Sequence, residues 1–546
     1  MYKGKILKKE ILQRVTFIMG IAILFIIVAK VFPPVFATND DRTIRSIIRG
    51  DYGEKYSAYS IFMGYPLSLL LSRLYMALPA IPWYGVFFSG CIILSALIVV
   101  GNIVFNKKNS RKQTSIILII LAIVYISIFL IQQFTVVSAI LMCTAIYLCV
   151  NRKSKIAIIL LGCLSFEIRS DVFLMLSPFL IAASIWQECE NKIEVKKIIK
   201  EVLPIFIIIV SIFMIGTTIN RVAYSSKEWK EYNDFNHERS VLYDNKYFWN
   251  SSEYKEECLK AGISEKDYYL TNTYQILLDK DIGISQIEKI NGVIREKKKD
   301  NIFVKTAKVI YYLLKSCFLF YWKYTFILVL LDIMWLNINK TKKQKIVIYL
   351  CVMLIKYIIL SYLVWIARLP ERVFIPLFIV TLMFVIGDIA KNSSKRTTYM
   401  AINILVLICS VLILNSKSNT YQQIKIQNQK YYTLCGYCER NENNKYMLGL
   451  DDISSCSAYV LENKKTKLFY LEPWLSKSPT MKEYLKKNHS SDFGQMLLKE
   501  NVYYILYAHS PIKELQSYMD NRFNGVQVKK VDEINENYYV YKFEKQ

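Results

Sequence analysis

Blocks of predominantly apolar residues recur along this chain with short basic segments between them. Each block approaches the roughly 20 residues that an α-helix needs to cross a bilayer. Eleven such blocks can be read, near 13–35, 83–105, 114–131, 133–150, 156–167, 171–186, 200–220, 317–337, 346–365, 372–388 and 398–415. Hydrophobic residues make up 53% of the 546 positions, and mean hydropathy is positive, which is more than a soluble chain of this length carries. The expected fold class is therefore a polytopic α-helical membrane protein of about eleven transmembrane helices. The first block is long and no A-x-A site follows it, so it is expected to stay as a helix and not to be removed as a signal peptide.

The basic segments fix an expected orientation. "KGKILKKE", "NKKNSRKQ", "NRKSK", "KIEVKKIIK", "NKTKKQK" and "KNSSKR" fall in alternate loops, and the positive-inside rule places all six in the cytosol. The amino terminus is then cytosolic and the carboxyl-terminal tail lies outside. The net charge of +26 is dispersed over these loops and not gathered into one basic domain, which disfavours nucleic acid as a partner.

Three outer segments are large enough to carry function: 36–82, 221–316, and everything after about 416. The first contains an apolar stretch with Arg73 and several prolines, read as an amphipathic helix lying along the outer membrane surface. The second reads as a helical cap, with Arg239 and Asp244 as its notable charges. The third, 417–546, mixes strand-like "VYYILYAH", "VQVKKV" and "YYVYKF" with helix-like stretches, as a small α/β domain does. Residues 1–416, with the two outer loops, form the expected membrane domain.

Candidate chemistry sits where these segments meet the outer surface. Asp40 and Asp41 directly follow the first span, in "FATNDDRTIRS". Asp at such a position often only caps a helix or closes a turn. Beside a lipid-lying helix, however, a carboxylate is placed to take a proton from an acceptor hydroxyl. Glu167, Arg169 and Asp171 close a hairpin whose arms are short for a bilayer crossing, which recesses them among helices. Ionisable groups at that depth are costly and mark functional sites, although an internal ion pair that merely closes the hairpin is the competing reading. Arg368 and Arg372 flank the tight turn "ARLPER", where a guanidinium offers a fork of donors to phosphate oxygens or simply reaches the headgroups.

With these residues in view, the chain resembles the GT-C superfamily of membrane glycosyltransferases, and in particular bacterial members with an "NDD" first loop. The resemblance rests on Asn39, Asp40 and Asp41, supported by Arg169 and "RLPERV", and on the whole arrangement of spans and tail. It implies transfer of a sugar from a polyprenyl-phosphate donor to a glycan, lipid or protein acceptor outside the cytoplasm of a bacterial plasma membrane. Inversion at the anomeric carbon, Asp40 or Asp41 as general base, and Arg368, Arg372 or Arg239 on the lipid phosphate are what the class implies, with Glu167, Arg169 and Asp171 completing the substrate site. Some members hold a divalent cation, Mg or Mn, on first-loop acids, and the Asp pair leaves that open.

Two rival classes remain: a lipid-linked sugar flippase or transporter, which would also bury Glu167, Arg169 and Asp171, and a non-catalytic envelope-assembly protein. Of the 12 cysteines most lie in apolar spans. Cys435 and Cys438 have metal-ligand spacing, but a zinc site would need Cys456 and a distant His489 or His509, so a structural disulfide or thiols are the expected state.

Overall fold

Apolar residues on all sides of a segment favour a helix buried or spanning lipid, and each of the eleven apolar blocks is helical in the computed structural model. It describes residues 2–51, 55–186, 188, 195–243, 254–297, 301–392, 397–449, 457–461, 467–508, 510 and 512–546. Helix α1 spans Tyr2–Val31, α2 Asn39–Arg49, α3 Tyr65–Ala77, α4 Trp83–Val104, α5 Arg111–Leu130, α6 Phe134–Val150, α7 Lys155–Ile168, α8 Ser170–Ile185 and α9 Val195–Ala223. The cap region holds α10 Lys227–Tyr243, α11 Lys255–Lys260, α12 Glu265–Asn272 and α13 Ile284–Lys297. Then come α14 Ile302–Lys315, α15 Trp322–Asn339, α16 Lys343–Trp365, α17 Glu371–Lys391 and α18 Thr397–Glu439.

Among the described residues seven helices are long and apolar enough to cross a membrane, or eight if one bent pair is a single span. The chain is thus helical with several candidate spans, fewer than the eleven expected. The difference has physical causes. Helices α6, α7 and α8 have 17, 14 and 16 residues, so at about 1.5 Å per residue none reaches the roughly 30 Å of a hydrocarbon core. Every residue of α6 is buried, which explains its unbroken apolarity: it is the centre of the bundle, packed against α4, α7, α8 and α17. The block expected at 317–337 belongs to a helical run that starts at Ile302 and turns by 89° at Tyr321. A π-helical turn at Ser316–Phe320 precedes the turn. No residue of α14 is buried, and its lysines 305, 308 and 315 leave Phe303, Ile310 and Leu314 together on the opposite face.

The carboxyl-terminal part contains a five-stranded sheet. Its strands are β3 Lys445–Leu448, β4 Leu468–Tyr470, β5 Val502–Tyr507, β6 Val526–Ile534 and β7 Tyr538–Lys545, in the order β4-β3-β5-β7-β6. β3 pairs in parallel with β4 and β5, and β7 pairs antiparallel with β5 and β6. Helices α19 Pro479–Lys487, α20 Phe493–Leu497 and α21 Lys513–Phe523 connect and flank the strands. The three strands expected from alternation are present, whereas β3 and β4 are too short to show a period. Helix α18 runs through the boundary expected at 416 without a break. One continuous hydrophobic core joins the helices to the sheet.

A buried ionic network ties the cap to this sheet region. Asp279 faces Lys266 at 2.6 Å and Arg522 at 3.4 Å, and Arg522 also grips Asp492 at 2.5 Å. Tyr518 donates to Asp279 at 3.0 Å. Burial pushes the Asp279 carboxyl up, but Lys266, the Asp281 backbone N–H and Arg522 outweigh it and hold the group below its ordinary value.

Candidate functional site

Chain leaving α1 is caught at once by two backbone contacts. Strand β1, Val35–Phe36, pairs in parallel with β2, Ile131–Gln132, at the turn between α5 and α6. Pro34 accepts from the Ala458 N–H at 2.9 Å. From this anchor the "NDD" segment, expected in the outer loop after the first span, forms the first turn of α2. Acidic residues are favoured there by the helix dipole. Gly50, at φ 85°, ends α2 with bonds from Gly50 N–H to Ile47 and from Asp51 N–H to Ser46. A Cβ at Gly50 would stand 2.6 Å from the Lys55 carbonyl carbon, so only glycine fits.

The two aspartates have different surroundings. Asp41 is fully buried, and its carboxylate accepts from the Tyr84 hydroxyl at 3.0 Å, the Phe134 backbone N–H at 3.0 Å and the Thr38 hydroxyl at 3.2 Å. It therefore caps the start of α6 from a distant part of the chain. Burial, with the charge of Asp40 added, pushes its pKa up to about 8 against the pull of those donors. Asp40 is only half-buried, and its charge raises the pKa of both Asp41 and Glu472.

Glu472, just beyond β4, binds the α2 amino terminus to the sheet region. It accepts from the Asn39 amide at 3.2 and 3.3 Å and from Thr43 at 3.2 Å, and it pairs with Arg42 at 3.3 Å. Arg42 also lies over the Tyr470 ring at 3.5 Å. Arg45 donates to the carbonyls of Ser457 and Val460 at 3.0 and 3.1 Å.

The hairpin residues divide. Glu167 accepts from the Leu67 N–H at 3.2 Å, and its carbonyl accepts from the Gly64 N–H at 2.6 Å, so it fastens the first turn of α3. Arg169 pairs with Asp171 at 3.0 Å, the ion pair that closes the hairpin. Its guanidinium also lies 5.2 Å from the rings of both Phe62 and Phe134, which brings it beside the residue that Asp41 caps. Arg239 stands apart: it is buried within the cap, bonded to Asn236 at 2.8 Å and against Tyr243. Asp244 lies outside the described residues, as do Cys456 and His509. Cys435 and Cys438 are buried within helix α18, not in the loop that a metal knuckle needs, and His489 is exposed.

A narrow, partly open cleft of about 110 Å³ runs down between α5, α6, α15, α17 and α18. Its lower walls are apolar, including Ile120, Val124, Ile375, Phe378 and Ile413. Apart from Ser127 and Ser410, its polar residues gather at one end: Gln133, Tyr324, Glu371, Arg372 and Lys417, together with Ala37 three residues before Asp40. Lys417 is paired with Glu371 at 2.8 Å, and Glu371 also accepts from Tyr324 at 3.0 Å. Arg372 is exposed at this rim and has no ion pair among the described residues. Gln133 Nε2 is buried with no hydrogen-bond partner among them, and such a donor is costly unless a ligand or water meets it. Arg368 lies one turn of chain earlier and does not line the cleft. Sequence reasoning missed Lys417, Glu371 and Gln133: Glu371 and Gln133 sit at the starts of α17 and α6, whereas Lys417 lies in the middle of α18, where the sequence suggested the end of a span. Glu472 gave no local signal, because its partners are more than 400 residues away in the chain.

No group of three or more His, Cys, Asp or Glu that could hold a metal comes together among the described residues. Asp41 and Glu472 are taken up by protein donors, so the acidic segment does not fit Mg or Mn, which need several oxygen ligands. No family model, no curated protein and no solved structure matches the chain.

Proposed function

We propose that the protein is a membrane glycosyltransferase that uses a polyprenyl-phosphate sugar, with Asp40 as general base. The observation that carries this reading is the cleft: an apolar trough suits a polyprenyl chain, and Arg372, Lys417 and the unpartnered Gln133 donor at its end suit the lipid phosphate. The acceptor hydroxyl oxygen attacks the anomeric carbon as the bond from that carbon to the phosphate oxygen breaks. Asp40 takes the hydroxyl proton, and the lipid phosphate leaves with the electron pair, its charge met by Arg372 and Lys417. Asp41, buried and capping α6, positions Asp40 and does not touch substrate. Arg169 is retained beside the site through Phe134, while Arg239, Arg368 and Glu167 have no part in it. The acceptor lies on the outer side of a bacterial plasma membrane, in keeping with the basic loops on the other side.

One observation favours the rival transporter reading: charged pairs within candidate spans, Lys345 with Asp388 at 2.7 Å and Asp332 bonded to Tyr349 near Lys356. A single experiment separates the two. Wild type, Asp40→Asn and Arg372→Ala are expressed at equal membrane levels in a deletion strain, and envelope sugars and polyprenyl-phosphate sugars are measured. Asp40→Asn should match the deletion, with a loss of about 10²-fold or more in transfer and accumulation of the donor. Normal envelope sugar in Asp40→Asn would end the transferase reading and leave the transporter.

A further inference from the structure

A second and larger opening, of about 840 Å³, lies between the segment 55–59, α3, the start of α10 and α19. That volume is within the roughly 300–1,000 Å³ of small-molecule sites. We propose that this groove is the acceptor site and that it takes an anionic glycan, a chain bearing carboxylate or phosphate groups; the assignment of the ligand as acceptor rests on the transferase reading above.

The lining combines two chemistries that sugar polymers with acidic groups require. Tyr56, Tyr59, Tyr65 and Trp229 line it, and aromatic rings offer apolar faces to the C–H faces of sugar rings while their polar edges meet hydroxyls. Tyr59 is held rigidly, stacked on Trp229 at 5.0 Å and contacting Tyr65 at 5.4 Å and Tyr224 at 5.3 Å. Four cations, Lys55, Arg73, Lys482 and Lys486, and two carboxylates, Glu228 and Glu483, also line the groove, and Lys482 lies 3.9 Å from Glu231 just outside the lining. Glu483 is already paired with Lys55 at 2.7 Å. Arg73 on α3 and Lys486 on α19 face the opening from different elements, and neither has a carboxylate partner among the described residues. Their charge is therefore available to an anion. The groove-lining segment leads toward the transfer site: three residues along the chain from Tyr59, the Phe62 ring lies 5.2 Å from Arg169 and 6.1 Å from Phe134.

The test uses the full chain in phosphatidylcholine nanodiscs, titrated calorimetrically with hyaluronate hexasaccharide, with a glycerol-phosphate hexamer, and with the carboxyl-reduced, neutral form of the hexasaccharide. At least one anionic probe should bind, the neutral one more weakly, and added salt should weaken the anionic binding. The double variant Arg73→Ala/Lys486→Ala should weaken it by about tenfold, whereas Lys289→Ala, at an exposed position on α13 outside the groove lining, should bind as wild type. No binding by either anionic probe, equal binding of the neutral form, or unchanged binding by the double variant overturns the proposal. So does a double variant that loses retained phosphatidylglycerol but not the probes, since the groove would then hold a lipid headgroup. The two readings fail separately: loss of transfer in Asp40→Asn without probe binding removes the groove alone. Probe binding with normal envelope sugar in Asp40→Asn removes the transferase and leaves a glycan-binding groove.

Discussion

At the scale of single residues, two adjacent aspartates with the same side chain acquire different tasks because one faces inward and one does not. Asp41 holds its proton more tightly folded than unfolded, since its pKa rises from 3.8 to about 8. Stability from this group is full below the lower value and is lost as pH climbs through the upper one. Wild type should therefore lose melting temperature between about pH 5 and pH 8.5, and Asp41→Asn should lose less, giving curves that converge or cross. Parallel curves would show that Asp41 is not protonated in the folded chain. The sequence displayed the pair clearly, and its place after the first span was legible. Which of the two would be buried was not, because that depends on Tyr84 and Phe134 arriving from α4 and α6.

Elements are fixed here less by their own propensity than by caps lent from elsewhere. Helix α3 has no side-chain cap of its own and depends on Glu167 across the gap from α7. Glu167→Ala should cost about 1 kcal/mol in unfolding free energy and loosen α3, measured as faster amide exchange over 64–70. A Cβ at Gly64 would come within 2.2 Å of the Glu167 carboxylate, so Gly64→Ala should do the same by displacing the cap. In the cap and sheet region Arg522 neutralises two buried carboxylates. Arg522→Ala should destabilise that contact by about 3 kcal/mol or more, read as new proteolytic cleavage in 263–297 at neutral pH. The helices within 221–316, helix α3 and the strands β5, β6 and β7 were legible from period and turn residues. The right-angle turn at Tyr321 was not, since the sequence places 302–316 in the outer segment and reads 317–337 as a separate straight span, and β3 and β4 needed their partners to exist at all.

For the whole molecule, the alternation of basic loops predicts sides for every segment; the short α7–α8 hairpin leaves that prediction unchanged whether or not it crosses the bilayer, because it returns to the side it left, but the prediction requires the 17-residue α6 to carry the chain across. A cysteine introduced at Lys545 should react with a membrane-impermeant maleimide in intact cells of a strain made free of other reactive thiols, and one at Ser110 should react only after lysis; the reverse pattern would invert the topology and place Asp40 in the cytosol. Helix α18 gives the arrangement a further property. Its 43 residues without a break extend roughly 65 Å, and the hydrocarbon core accounts for about 30 Å of that. The remainder is a mast, and the strands carrying Glu472 are stepped at its top. A tilt of about 10° would swing that end sideways by roughly 6 Å on this geometry, and helices tilt when bilayer thickness changes. Because Glu472 clasps Asn39 and Arg42, lipid thickness would act on the aspartates as wind acts on rigging, which makes the bilayer itself a setting of the chemistry and not only its support.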